Sequence, residues 1–174
     1  ILILTPYKIT PRIEQVVESL LYILWDLKLK VGYAIRSLED NISKAKSDNT
    51  ICTALLDARL ISGDQDLWIN FNSAFKLEIL SKFKEKYFYE KIKERDIRHK
   101  KMGDSRYLLE PNIKENKGGL RDLNTIRWII SFLYQSNTSK DYLSLGIMTN
   151  KEASFYNKAE KYFMTLRSMM HYYS

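Results

Sequence analysis

Apolar residues recur at three- and four-residue spacing through Ile13, Val16, Val17, Leu20, Leu21, Leu24 and Leu27. That spacing gathers them on one side of a 3.6-residue repeat and predicts an amphipathic helix over about Pro11 to Leu29. Thr10 offers an N-cap oxygen, and Pro11 suits the first helical position, where its missing N–H costs nothing. On either side, Ile1 to Leu4 and Val31 to Ser37 read as strands. Ser37 with Asp40 resembles a capping box with Asp in place of Glu, predicting a helix from Leu38 to about Lys46. Asn49 to Ala54 reads as a short helical turn. Leu55 to Ile61 then reads as a third strand, stopped by Ser62-Gly63. The order strand, helix, strand, helix, strand predicts part of an α/β sheet.

Beyond Gly63 the periodicity turns helical. Asp64 caps a predicted helix through Leu80, and another runs from about Phe83 to Lys101, broken at Met102-Gly103-Asp104. An apolar run, Tyr107-Leu108-Leu109, ends at Glu110-Pro111, where proline stops any helix. A polar loop, Asn112 to Lys117, leads to Gly118-Gly119. A helix over Leu120 to Tyr134 follows. Ser136 to Lys140 reads as a loop. Thr149 and Glu152 form a capping box for a last helix, Asn150 to about Tyr172. The fold class is therefore α+β: a sheet segment over 1–63, then a mainly helical part over 64–174.

Composition narrows the function less than the pattern does. The 174 residues carry a formal net charge of +7, which suits an anionic partner without choosing one. The positive charges are interleaved with acids along helices, the pattern of a solvated face, which argues against a nucleic-acid partner. No run approaches the about 20 apolar residues of a membrane span, and no basic segment precedes the apolar start, so neither a membrane partner nor a signal peptide is expected. A single cysteine, Cys52, forms no internal disulfide and is compatible with a cytoplasmic location. Ile1 reads as the start of a strand cut on its upstream side, and the last helix as one without a C-cap.

The candidate chemistry centres on the glycine pair. Two glycines let the backbone turn sharply and set N–H groups at a helix start, where Lys114, Lys117 and Arg121 would complete an anion site. The plainer reading is a turn with solvated charges. Asp122, in the first helical turn, is expected to be structural, tying Arg121, because acids are favoured there. On the predicted strand Leu55 to Ile61, a period of two puts Asp57 and Arg59 on one face, either as an edge ion pair or as an acid and a base facing a ligand. His99 is expected at the surface and His171 partly buried. Trp25, Trp68 and Trp128 are expected in cores.

The contiguous segment LEPNIKENKGGLRDLNTIRW resembles the LEPN-x-K, GGLRD and W segment of the bacterial PII uridylyltransferase and uridylyl-removing enzymes. These are members of the polymerase-β-like nucleotidyltransferase superfamily. VGYAIRSLED, LLDARLISGD and RHKKMGDSRYLLEPN extend the likeness, in family order, over nearly the whole chain. The resemblance implies that 1–63 is part of a nucleotidyltransferase domain and 64–174 a helical associated domain. It implies transfer of UMP from UTP, with Mg²⁺, to a tyrosine of the PII signalling protein. It also implies removal of that group by a separate HD domain, under glutamine control through ACT domains.

By the same resemblance Asp57 is the third metal-binding carboxylate and a catalytic residue, with Arg59, Lys114, Gly118, Gly119 and Arg121 binding nucleotide or substrate. The family's Gly-rich segment and its D-x-D metal pair fall before Ile1, so the chain alone is expected to be inactive. A shared reaction would need Asp57 and the glycine loop to converge. Two alternatives stay open: a related nucleotidyltransferase with another substrate, and a non-catalytic remnant that binds a partner protein.

Overall fold

The computed structural model describes residues 1–103, 109–110, 112–136 and 138–173. The apolar positions Tyr107 and Leu108 and the break at Pro111 lie outside them. The chain divides into two compact units, Ile1–Lys82 and Phe83–Ser174.

The first unit opens with strand β1 (Leu2–Thr5), helix α1 (Pro11–Asp26) and strand β2 (Ala34–Ser37). The strands pair in parallel, Leu2 opposite Ala34 through Thr5 opposite Ser37. Parallel neighbours need a crossover, and α1 supplies it. The predicted caps hold: the Thr10 side chain accepts from the Ile13 N–H at 3.4 Å. Ser37 Oγ accepts from the Asp40 N–H at 3.1 Å and donates to Asp40 Oδ2 at 2.9 Å at the start of α2 (Leu38–Ser47). Only Val17 and Leu21 of α1 are buried. Val16, Leu20, Ile23 and Leu27 are exposed, as is Trp25, so Trp25 is not the core residue expected of it.

The third strand is not formed. Residues 49–56 are a helix, α3 (Asn49–Leu56), and Leu55 and Leu56 close it. Asp48 caps it, accepting from Thr50 N–H at 2.7 Å and Ile51 N–H at 3.2 Å. Cys52 and Leu55 bury one helical face, three residues apart. A short apolar run fits either period, and here a strong cap upstream decides for the helix. Past Ala58 the chain leaves the core: Leu60 is exposed and Ile61 more so. Asp64 then caps α4 (Gln65–Phe75), accepting from Asp66 and Leu67 N–H. One π turn, Lys76–Leu80, extends α4 and packs with it on α2, where Glu78 takes both Lys46 and Lys82 at 3.0 Å.

The second unit holds α5 (Lys84–Lys101), α6 (Leu120–Tyr134), α7 (Ser139–Ser144) and α8 (Asn150–Tyr173). Part of the segment expected to be a loop, Ser136 to Lys140, thus begins α7, capped by Thr138. Tyr87 of α5 stacks on Phe132 of α6 with ring centroids 3.9 Å apart, and both rings are almost completely buried. Trp128, Ile130, Tyr142, Ala153 and Tyr156 complete this core, and the Tyr156 hydroxyl donates to Leu123 O at 3.3 Å. Thr149 and Glu152 form the expected capping box of α8. His171 is exposed, not partly buried, because α8 buries only Ala153 and Tyr156 near its start. The observed class is α+β: mainly helical, with one two-stranded parallel sheet.

Truncating a stacked ring in a closed core removes both apolar burial and packing, at about 3–5 kcal/mol. Phe132→Ala should therefore raise hydrogen exchange through α5 and α6 while leaving β1, α1 and β2 at their original protection, read by mass spectrometry of the whole protein.

Candidate functional site

The loop before α6 caps that helix with its own carbonyls. Asn112 Oδ1 accepts from the N–H groups of Lys114 and Glu115, both at 3.0 Å, and sets the turn. The carbonyls of Asn116, Ile113 and Lys114 then accept from the N–H groups of Gly119, Leu120 and Arg121 at 2.8, 2.9 and 2.9 Å. These are the donors that an α-helix start otherwise leaves unpaired. The two glycines serve this arrangement differently. Gly118 sits at φ 81°, the left-handed region that costs any other residue about 1–2 kcal/mol. Gly119 has an ordinary φ of −81°, but a Cβ there would lie 2.8 Å from Ile113 O and 2.9 Å from Asn116 O.

The Gly118 N–H donates to Asp122 Oδ2 at 2.7 Å. The glycine N–H groups are thus engaged within the loop, and the expectation that they stand free for an anion is not met in this conformation. Asp122 is structural, as expected, but its partners are Arg98 and His99 in the last turn of α5, not Arg121. His99 Nε2 lies 3.0 and 2.9 Å from the two carboxylate oxygens, and Arg98 Nη2 bonds Oδ1. His99 is accordingly buried rather than at the surface. Burial works to raise the Asp122 pKa, but the Gly118 N–H, His99 and Arg98 outweigh it and hold the carboxyl below its ordinary value.

Arg121 turns instead to Glu115. Its Nη2 lies 3.2 Å from Glu115 Oε1, and Lys114 Nζ lies 3.7 Å from the same oxygen. Burial tends to raise the Glu115 pKa; Arg121, Lys114 and Arg98 together lower it below the usual value. The guanidinium also sits 5.8 Å from the centroid of the Trp128 ring, which has the buried Lys91 ammonium at 5.0 Å. Lys91 pairs with Glu94 at 2.7 Å. The structure therefore brings Lys114, Gly118, Gly119 and Arg121 together at one helix start. Lys91, Arg98, His99 and Glu115 join them there, and sequence reasoning missed their part because their partners lie on other turns or another helix.

Asp57 and Arg59 belong to the first unit. Asp57 is the exposed C-cap of α3, and Arg59 is exposed in the irregular segment after it. Residues 57–61 form no strand ladder, so the period-two argument for a shared face does not apply. Among the described residues no group of three or more His, Cys, Asp or Glu side chains is placed to hold a metal ion. A carboxylate such as Asp57 can supply one of the several oxygen ligands a Mg²⁺ ion takes.

Fold and site define an α+β chain whose second, helical unit is organised by a glycine-paired helix start flanked by cations. A family model described as GlnD PII-uridylyltransferase matches residues 86–174. The bifunctional uridylyltransferase/uridylyl-removing enzyme of Azospirillum brasilense is 45% identical over 172 residues, 99% of this chain and 18% of that protein. The enzyme so named in Rhodospirillum rubrum is 44% identical over 172 residues, with the same coverage. That of Novosphingobium aromaticivorans is 44% identical over 167 residues, 96% of this chain and 18% of the relative. No solved structure matches. The chain belongs to the GlnD PII-uridylyltransferase family and spans about 18% of the length of these curated relatives.

A carboxylate held below its ordinary pKa stabilises the fold above its unfolded value, and that stability is lost as pH falls through the folded one. The link from α5 to the glycine turn should therefore loosen only below about pH 4 through Asp122. Asp122→Asn should reproduce the loosening at neutral pH, on the order of 3 kcal/mol for a pair broken on one side. Hydrogen exchange of the 112–123 peptide against pH, in both proteins, checks both statements.

Proposed function

We propose that this chain is part of a protein-PII uridylyltransferase, which transfers UMP from UTP to a tyrosine of the PII signalling protein. The observation that carries this reading is the identity of about 45%, sustained over 99% of the chain, to enzymes named for uridylyl transfer and removal. Residues 1–63 are then part of the nucleotidyltransferase domain, and 64–174 its helical companion. Removal of the group, glutamine control and the cytoplasmic setting belong to the whole protein in this reading.

Arg121 and Lys114 are the groups of this chain suited to a phosphate. Both are cations, both are partly exposed, and Arg121 offers a planar fork that fits two oxygens. Gly118 and Gly119 contribute by shaping the turn that carries them. Asp57, with Arg59 two residues on, is the candidate catalytic carboxylate of the first unit. A Mg²⁺ ion would supply charge neutralisation at the phosphates when bound, and Asp57 is the one ligand proposed from this chain.

The test is transfer of labelled UMP from UTP to PII by protein expressed from the whole gene. Label on a PII tyrosine is expected, and its absence with a PII that another uridylyltransferase modifies would refute the reading. Chain 1–174 alone should transfer nothing. In the whole protein Asp57→Asn should lower kcat by at least about 100-fold with little change in KM, if it acts in the transition state. Arg121→Ala should weaken UTP binding, turnover or both at an unchanged melting temperature. A loss of stability with unchanged nucleotide affinity would make Arg121 merely structural.

A further inference from the structure

Glu115 holds one carboxylate oxygen against two cations. Arg121 Nη2 is 3.2 Å from Oε1, and Lys114 Nζ is 3.7 Å from it. The two cations are the groups assigned above to a phosphate, so the inference rests on that reading. The N–H groups around them are engaged: those of Gly119, Leu120 and Arg121 by loop carbonyls, and that of Gly118 by Asp122. What these cations present to an anion is therefore set by side chains, and a carboxylate oxygen already sits between them. We propose that Glu115 is an internal stand-in for a phosphate group, occupying the Lys114–Arg121 site and leaving it when a nucleoside triphosphate binds.

Several features make the exchange feasible. Glu115 is not buried deep: its side chain retains 24% of its exposure and Arg121 29%, so neither must be dug out of a core. Arg121 has a second partner in the Trp128 ring, 5.8 Å from its centroid, which has Lys91 beside it. The guanidinium can thus keep its place while its carboxylate partner swings away. Asn112 and the three loop carbonyls fix the backbone of residue 115, so only side-chain torsions need change. A phosphate carries more charge and more acceptor oxygens than a carboxylate, so it competes favourably for a bidentate Arg. The stand-in costs affinity. In exchange it keeps two adjacent cations from repelling each other when the site holds no ligand. A polyphosphate without a base meets the same cations, so the base plays no part in this contact.

Removing the competitor should tighten binding. Tripolyphosphate and UTP would be titrated calorimetrically into the whole protein, as wild type, Glu115→Gln, Arg121→Ala, Lys114→Ala and the Glu115→Gln/Arg121→Ala double variant. Glu115→Gln is close to isosteric and should keep the melting temperature within a few degrees. It should lower the Kd of both ligands by about threefold or more, the gain expected when a partly exposed ion pair no longer opposes binding. The double variant should lose that gain. Glu85→Gln, at the far end of α5, removes the same unit of charge and should change the Kd by much less. Unchanged or weaker binding by a folded Glu115→Gln, or an equal gain from Glu85→Gln, would overturn the stand-in role. Weakening by Arg121→Ala would then leave the phosphate reading of the loop standing. If Arg121→Ala and Lys114→Ala both bind like wild type, the loop reading fails and the stand-in role with it.

Discussion

The second unit depends on how closely two pieces of backbone meet at Gly119. Three carbonyls, from residues 113, 114 and 116, converge where a Cβ would otherwise stand. Their convergence satisfies the N–H groups at the start of α6, and that start fixes the side chains that follow it. Arg121 leaves in one direction toward Glu115 and Trp128. Asp122 leaves in another toward Arg98 and His99. A methyl group at Gly119 would have to move backbone, not a flexible side chain, so both consequences fail together. Gly118 contributes by a different physics, its left-handed φ. The pair is thus not a redundant flexible hinge: one glycine is needed for conformation and the other for space.

Much of this was legible in sequence. The caps at Thr10, Ser37, Asp64 and Thr149 all form, because a short polar side chain before an apolar period has one good use. The placing of the first two strands in one sheet and the helical character after Asp64 also came through. Leu55 to Ile61 did not, since its five apolar positions satisfy either period and the deciding cap lies upstream at Asp48. Periodicity also overcounted the core of α1. Its apolar residues cover more than half the helix circumference, yet only Val17 and Leu21 are buried. At the loop, the presence of a structural acid was readable, but its partners were not: Arg98 and His99 stand 24 and 23 positions before Asp122 on another helix.

Charge behaves in the same way. A net +7 suggests an anionic partner, yet many of the cations are already occupied. Lys46 and Lys82 share Glu78, Lys91 takes Glu94, Arg95 takes Asp96, and Arg98 takes Asp122. Pairs of this kind, when exposed, are worth only about 0.2–1 kcal/mol each. Where cations remain suited to a ligand, they do so by geometry, and the loop before α6 is such a place.

That changes which half of the chain carries the chemical argument. The original case for Asp57 rested partly on a strand, with Arg59 on its face. With Asp57 on a helix C-cap, that support is gone, and what remains is family likeness. The loop gains correspondingly. Its turn is fixed by side-chain and backbone bonds independent of any ligand, and its two cations share one carboxylate oxygen that marks where an anion's charge is best received. A site built this way is ordered before it binds, so little of the binding energy goes into ordering the backbone. The energy goes instead into exchanging one anion for another, and the ease of that exchange lies in the side chain of Glu115.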